Sequence, residues 1–156
     1  MIEVRCDKNW KEMIDEKLLR KVLNIFIKEL FFNEYRISIY VTGNSKIQKL
    51  NKEFRNDDKP TDILAWAYDE NVSEIDRKVM IENGESIVGE LVVSAELVLK
   101  QSIQNGWNFN TELFRLIAHG CAHLAGYNHE DSQKEADKML ELEIKLLKKI
   151  GLTKIY

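Results

Sequence analysis

All three histidines of this chain, His119, His123 and His129, fall within a run of eleven residues. Residues four apart lie on the same side of a helix, so His119 and His123 can direct two ring nitrogens at one ion. Gly126 lies between the second and third histidines and can take the positive φ that ends a helix. The spacing therefore predicts a helix that ends near Gly126, followed by a turn that brings His129 back as a third ligand.

Three histidine nitrogens with an open fourth position are typical of a catalytic zinc site, because structural zinc sites have four protein ligands. A pair of histidines four apart is weak evidence alone, since such pairs also occur at surfaces and in cores. The glycine turn and the third histidine strengthen the prediction, which is one zinc ion per chain. Cys121 lies about 200° around the helix from the histidines on either side, so we expect it to face the core.

The composition is typical of one soluble globular domain, which we assign to residues 1–156. Of these residues, 44% are hydrophobic and 31% are charged. No apolar run approaches the length of a membrane span, and the N-terminus lacks the apolar stretch of a signal peptide. Two cysteines give no disulfide framework, so we expect a cytoplasmic protein. The net charge of −3 leaves RNA binding open, because local fields decide binding.

Hydrophobic periodicity predicts strands and helices that alternate along one α+β domain. Strands are expected at 2–6, 36–42, 61–68 and 87–93. Helices are expected within 10–32, from 44 or 45 to 55, at 94–104, from 110 through the first two histidines, and after Ser132 to about 150. Residues 69–85 are predicted to form a polar, acidic loop.

The second predicted helix combines an apolar stripe with a basic stretch. Its expected N-cap is Asn44 or Ser45, and its expected core face is Ile47, Leu50 and Phe54. The basic residues in and after this helix are Lys46, Lys49, Lys52, Arg55 and Lys59.

The histidine spacing matches the extended zinc-protease motif H-E-x-x-H-x-x-G-x-x-H, with one departure. Gly120 stands where those proteases have their general-base glutamate. Peptide hydrolysis by that mechanism needs a carboxylate that takes a proton from water. The sequence therefore argues against a peptidase.

The same run resembles the YbeY family of bacterial metallo-endoribonucleases, whose motif is H-G-x-L-H-L-x-G-Y-D-H. The matching residues are His119, Gly120, His123, Leu124, Gly126, Tyr127 and His129. Residues 50–64 are similar to the family's L-N-x-x-[YF]-R-x-x-D-x-P-T-D-V-L stretch, and residues 89–94 to its G-[DE]-I-x-[IL]-S strand. The departures are Ala65-Trp66-Ala67 for Ser-Phe-Pro, Ala122 for Leu and Asn128 for Asp.

This resemblance implies an α+β fold, in which helices cover a mixed four-stranded sheet and the metal site lies at a helix end. It implies that His119, His123 and His129 hold a catalytic zinc ion. It implies cleavage of single-stranded RNA, in 3′-end maturation of 16S rRNA and in ribosome quality control. The implied partners are rRNA and the small ribosomal subunit or its assembly factors, without DNA or a membrane.

The resemblance also marks Arg55 as the family's functional arginine. The residues alone favour a different interpretation, in which Arg55 satisfies carbonyls at the helix end or pairs with Asp57 or Asp58. If Arg55 acts, its guanidinium can hold two phosphate oxygens while zinc acts as a Lewis acid. We expect a positive groove beside the metal, lined by Arg55 together with Lys46, Lys49, Lys52 and Lys59.

The sequence leaves the general base and two other functions open. Asp62, Glu130 and Asp131 are candidate bases by position, and each also has a structural explanation as a turn cap, a partner of a ligating histidine or a helix start. The chain could be a metal-dependent hydrolase of another substrate, such as a peptide. It could also be a ribosome-assembly binding protein whose zinc is structural.

Overall fold

The computed structural model of the protein describes residues 2–30, 36–67, 87–127 and 132–155. Four strands lie in these ranges: β1 (Ile2–Cys6), β2 (Arg36–Thr42), β3 (Ile63–Ala67) and β4 (Ile87–Ser94). The same ranges contain five α-helices: α1 (Glu16–Leu30), α2 (Asn44–Arg55), α3 (Ala95–Asn105), α4 (Phe109–Leu124) and α5 (Gln133–Lys149). A short 3-10 helix, Lys8–Met13, precedes α1.

The four strands form one sheet in the order β1-β2-β4-β3. β1, β2 and β4 run parallel, whereas β3 pairs antiparallel with β4. The predicted α+β class with a mixed four-stranded sheet is therefore confirmed. Within the described residues, β3 is an edge strand that contacts both α2 and α4.

Alternation along the strands sends side chains to two faces of the sheet. On one face, Ile39 of β2 and Leu91 of β4 join the main core with buried residues of α1, α3, α4 and α5. On the other face, Tyr40 and Val92 pack with Ile47 of α2 in a smaller cluster. Each fully buried Ile, Leu or Val contributes about 1.5–3 kcal/mol, so the main core stabilises α4 independently of any metal.

Side-chain caps fix the starts of three helices. Ser94 and Ser132 accept from the backbone N–H groups of Leu97 and Glu135. Asn108 caps α4 by accepting from the Thr111 N–H, so this helix begins slightly before the predicted residue 110.

The predicted cap of α2 is wrong. Gly43 is the N-cap residue and supplies no side chain. The backbone N–H of Asn44 donates instead to Glu96 Oε1 of α3, at 2.9 Å. A carboxylate from a neighbouring helix thus replaces the expected local cap.

The predicted core position of Phe54 is also wrong, because its side chain is 59% exposed. The buried residue at this end of α2 is Asn51, whose side chain donates to the Lys59 carbonyl of the following turn, at 2.9 Å. Phe54 lies against the Trp66 ring of β3 in an edge-to-face contact with centroids 5.3 Å apart.

Two groups of predictions lie outside the described residues: the acidic loop at 69–85, and the segment 128–131, which holds Asn128, His129, Glu130 and Asp131. Among the residues that are described, no helix has both the length and the apolar character needed to span a membrane.

Candidate metal centre and phosphate-binding arginine

The last two turns of α4 bring His119 and His123 together, as their spacing predicts. Their rings are nearly perpendicular, at 88°, with centroids 4.7 Å apart. The Nε2 atoms of the two rings face each other at 3.2 Å. The helix therefore places two ring nitrogens at one point near its C-terminal end.

The other nitrogen of each ring is oriented by an oxygen. His119 Nδ1 lies 2.5 Å from Glu143 Oε1, and His123 Nδ1 lies 3.1 Å from the Tyr127 carbonyl oxygen. A carbonyl and an ionised carboxylate only accept hydrogen bonds, so each Nδ1 donates its N–H. In the neutral imidazole, the lone pair is then on Nε2, which is the arrangement found in metal-binding histidines.

The separation of the Nε2 atoms fits a shared zinc ion. With Zn–N distances of about 2.0–2.1 Å and a tetrahedral angle of about 109°, two ligand nitrogens lie about 3.3 Å apart. The observed 3.2 Å is close to this value. Across the described ranges, no group of three or more His, Cys, Asp or Glu residues could hold a metal ion. The predicted third ligand, His129, lies outside those ranges.

Gly126 shapes the turn that follows α4. Its φ is 96°, as predicted for the helix end, and the Tyr127 N–H donates back to the Ala122 carbonyl at 3.1 Å. This turn places the Tyr127 carbonyl beside His123 Nδ1. Gly126 therefore helps to orient His123, because the turn at this glycine brings the Tyr127 carbonyl to the imidazole ring.

Glu143 is the site residue that sequence analysis missed. It lies on α5, 24 residues after His119, and only 6% of it is exposed. By its spacing in the sequence, Glu143 falls among the apolar residues that recur along one face of the final helix, such as Met139, Leu146 and Leu147. A carboxylate on an apolar helix face could have indicated a buried interaction, since buried acids almost always have a partner.

Gly120 packs closely against the sheet and has no side chain that could act as a general base. A Cβ atom on Gly120 would lie 2.8 Å from both Ile63 Cδ1 and Leu91 Cδ2. Both atoms are ends of flexible side chains, so a larger residue at this position would press on β3 and β4. Because residue 120 is glycine, the chain lacks the carboxylate of the zinc-protease mechanism at this position.

Cys121 is fully buried in the main core, as predicted. Burial raises the pKa of its thiol to about 12. Its side chain belongs to the apolar core cluster and not to the histidine pair.

Arg55 is the last residue of α2, and it is attached to the edge strand β3. Its Nη2 donates to the Ala65 carbonyl at 3.2 Å. Asp57 and Asp58 pair with Lys59 and Lys52 instead, at 3.6 and 3.7 Å. The guanidinium is exposed and is tied to the strand that packs against α4 beside Gly120.

The three lysines of α2 do not share one side of the helix with Arg55, and Lys59 follows the helix. By the helical period, Lys46 lies about 180° from Arg55, Lys49 about 120° and Lys52 about 60°. Lys52 and Lys59 are exposed and each has an acidic partner. The structure therefore brings Lys52 nearest to the side of Arg55, and the wider lysine-lined groove stays a prediction.

Asp62 has a structural role in the described residues. Its Oδ1 accepts from the Ile63 N–H at 2.7 Å, and its Oδ2 accepts from Gln101 Nε2 at 3.3 Å. These bonds hold the start of β3 against α3. The other two candidate bases, Glu130 and Asp131, lie outside the described ranges.

Comparison with known proteins gives consistent similarities along the chain. The family model described as endoribonuclease YbeY matches residues 2–151. An endoribonuclease YbeY of Ruthia magnifica is 37% identical over 143 residues, which are 92% of each chain. One from Acetivibrio thermocellus is 35% identical over 148 residues, covering 90% of this chain and 91% of the relative.

A solved structure shares the fold. The solution structure of TM1509 from Thermotoga maritima matches with a TM-score of 0.59 at 22% identity. The match covers 97% of this chain and 92% of that one. At this identity the likeness supports the α+β fold alone.

Proposed function

Because this chain belongs to the endoribonuclease YbeY family and is therefore an RNA-cleaving hydrolase, we propose that it uses one zinc ion to cleave single-stranded RNA. The observation that carries the zinc proposal is the pair of Nε2 atoms 3.2 Å apart on His119 and His123. His129 is the proposed third ligand. The orientation of both Nδ1 atoms by oxygen acceptors supports the same assignment.

The finer biological role follows the resemblance of the histidine run and of the Arg55 segment to the family motifs. We propose that the substrate is the 3′ end of 16S rRNA and that the enzyme contributes to ribosome quality control. The proposed partners are the small ribosomal subunit and its assembly factors, which places the reaction in the cytoplasm.

In the proposed mechanism, the metal and Arg55 both act on the scissile phosphate. When bound, zinc supplies Lewis acidity at a phosphate oxygen or at a water molecule. Arg55 has five N–H donors in a planar fork. One of them holds the Ala65 carbonyl, and others can hold two oxygens of the scissile phosphate as negative charge develops.

The remaining residues orient ligands and exclude a competing mechanism. Glu143 and the Tyr127 carbonyl keep a proton on Nδ1 of the two histidines, which directs Nε2 towards the metal. Gly120 supplies no carboxylate at the position where zinc peptidases have their base.

Metal analysis combined with RNA cleavage tests the proposal. We expect one zinc ion per purified chain and cleavage of single-stranded RNA that stops on chelation and returns with added zinc. A protein that cannot bind added zinc, or cleavage that persists after complete chelation, would contradict the proposed zinc dependence.

Replacing Glu143 by glutamine should weaken zinc binding by about 10- to 100-fold, the usual effect of losing a carboxylate behind a ligating histidine. Glutamine keeps the shape of the side chain but polarises the His119 N–H less. The measurement is zinc competition against a chelating dye. Glu141→Gln is the matched control, because Glu141 lies exposed on the same helix.

The melting temperature of the metal-free protein separates positioning from simple folding effects. We expect metal-free Glu143→Gln to melt close to the metal-free wild type. Zinc affinity equal to that of Glu141→Gln would show that Glu143 does not support the metal site.

A further inference from the structure

Phe54 and Trp66 form an aromatic pair on the surface beside Arg55. Among the large hydrophobic side chains that are exposed in the described ranges, Phe54 is the only aromatic one. Trp66 is partly buried, and it packs against the small apolar cluster of Tyr40, Ile47, Leu64 and Val92. The Phe54 ring meets it at 66°, with centroids 5.3 Å apart. The exposed Phe54 ring is thus supported by its contact with Trp66.

The same short stretch of surface carries the guanidinium of Arg55. Arg55 follows Phe54 in the chain, and its Nη2 donates to the carbonyl of Ala65, the residue before Trp66. Proteins that bind single-stranded nucleic acid commonly combine exposed aromatic rings with positively charged side chains. The cation holds the backbone and the ring stacks with a base.

We propose that Phe54, supported by Trp66, is a stacking site for one unpaired base of the RNA whose phosphate Arg55 contacts. This inference rests on the proposed function and names a binding residue for its substrate. Every base has a π face, so the site adds affinity with little sequence preference. Bases within a duplex already stack on their neighbours, and the site therefore favours single strands.

The competing explanation is that Phe54 only covers Trp66. Two substitutions separate the explanations, because Phe54→Leu keeps an apolar cover and removes the π face, whereas Phe54→Tyr keeps the ring. Ile103→Ala is the matched control, since Ile103 is the most exposed large hydrophobic residue described, at 73%, and lies on α3.

The measurement is the affinity of the zinc-loaded protein for short oligouridylates, by fluorescence anisotropy, with probe integrity checked on a gel. A parallel set of probes lacks one base at a time. Phe54→Leu should bind the complete probe about 5- to 150-fold more weakly, the range for one lost stacking contact. Phe54→Tyr and Ile103→Ala should bind like the wild type. Removing the stacked base should abolish the difference between Phe54→Leu and the wild type.

Two results would overturn the stacking site while leaving the proposed function intact. One is wild-type affinity and cleavage in Phe54→Leu. The other is a loss of affinity in Phe54→Leu that is equal for complete probes and for every probe lacking a base. A wild-type protein that neither binds nor cleaves single-stranded RNA would instead overturn the proposed function, and the stacking site with it.

Discussion

Replacing His123 by alanine should abolish zinc binding and RNA cleavage together while leaving the fold in place. Its Nε2 is one of two nitrogens that converge at 3.2 Å, and two remaining ligands hold zinc much less tightly than three. Because losing an outer partner of a ligand already costs about 10- to 100-fold in affinity, losing the ligand itself should cost more than about 100-fold. His119→Ala should behave in the same way.

The metal-free wild type is the matched reference for this variant, because a bound ion raises the melting temperature of any protein that binds it only when folded. Metal-free wild type and His123→Ala should melt at similar temperatures, since α4 is held by the main core through residues such as Leu116 and Ile117. The measurements are zinc stoichiometry, cleavage rate and thermal melting. A variant that is unfolded under conditions where the metal-free wild type is folded would support a structural role for this histidine.

The histidine pair could be predicted from sequence because its geometry is local. The spacing of His119 and His123 fixes their relative position on any helix, and Gly126 marks where that helix turns. The partner of His119 could not be predicted in the same way. Glu143 reaches it from another helix, 24 residues away, and the contact depends on how α4 packs against α5. A carboxylate on an apolar face shows that a partner exists without saying which residue it is.

The end of α2 shows a second limit of periodicity. The apolar stripe of Ile47 and Leu50 extends to Phe54, but the stripe does not reveal where the covered surface ends. Ile47 is fully buried, whereas the turn after the helix receives the side chain of Asn51, and Phe54 remains at the surface. Phe54 differs from the other exposed apolar residues because it contacts Trp66 and lies next to Arg55 in the chain.

The partner of Arg55 could be predicted only in part. The residues suggest either carbonyls at the helix end or Asp57 and Asp58, and the two aspartates pair with lysines. The actual acceptor is the Ala65 carbonyl, which becomes available because β3 lies at an edge of the described sheet. The order of strands in a sheet determines such contacts, and residues that are neighbours in sequence do not reveal that order.

Replacing Arg55 should lower the rate of RNA cleavage by about 100- to 1,000-fold, the usual cost of removing one donor that stabilises charge in a transition state. Arg55→Lys should not restore the rate, because an ammonium lacks the planar fork that binds two oxygens at once. The loss should appear mainly in kcat, with RNA affinity less affected, since the contact strengthens as charge develops on the phosphate. The measurements are the single-turnover cleavage rate, RNA affinity and melting temperature of Arg55→Lys and Arg55→Ala.

Arg20 provides a matched control at the opposite edge of the described sheet. It is also an exposed helical arginine that donates to a strand carbonyl, that of Ile2 in β1, at 2.5 Å. If the bond from Arg55 to Ala65 serves only stability, Arg55→Lys and Arg20→Lys should have similar small effects on melting and none on cleavage. If Arg55 holds the phosphate, only its substitution should slow cleavage, at nearly unchanged melting temperature. Near-normal turnover in Arg55→Ala would remove Arg55 from the mechanism and leave it as a residue that ties α2 to the edge strand.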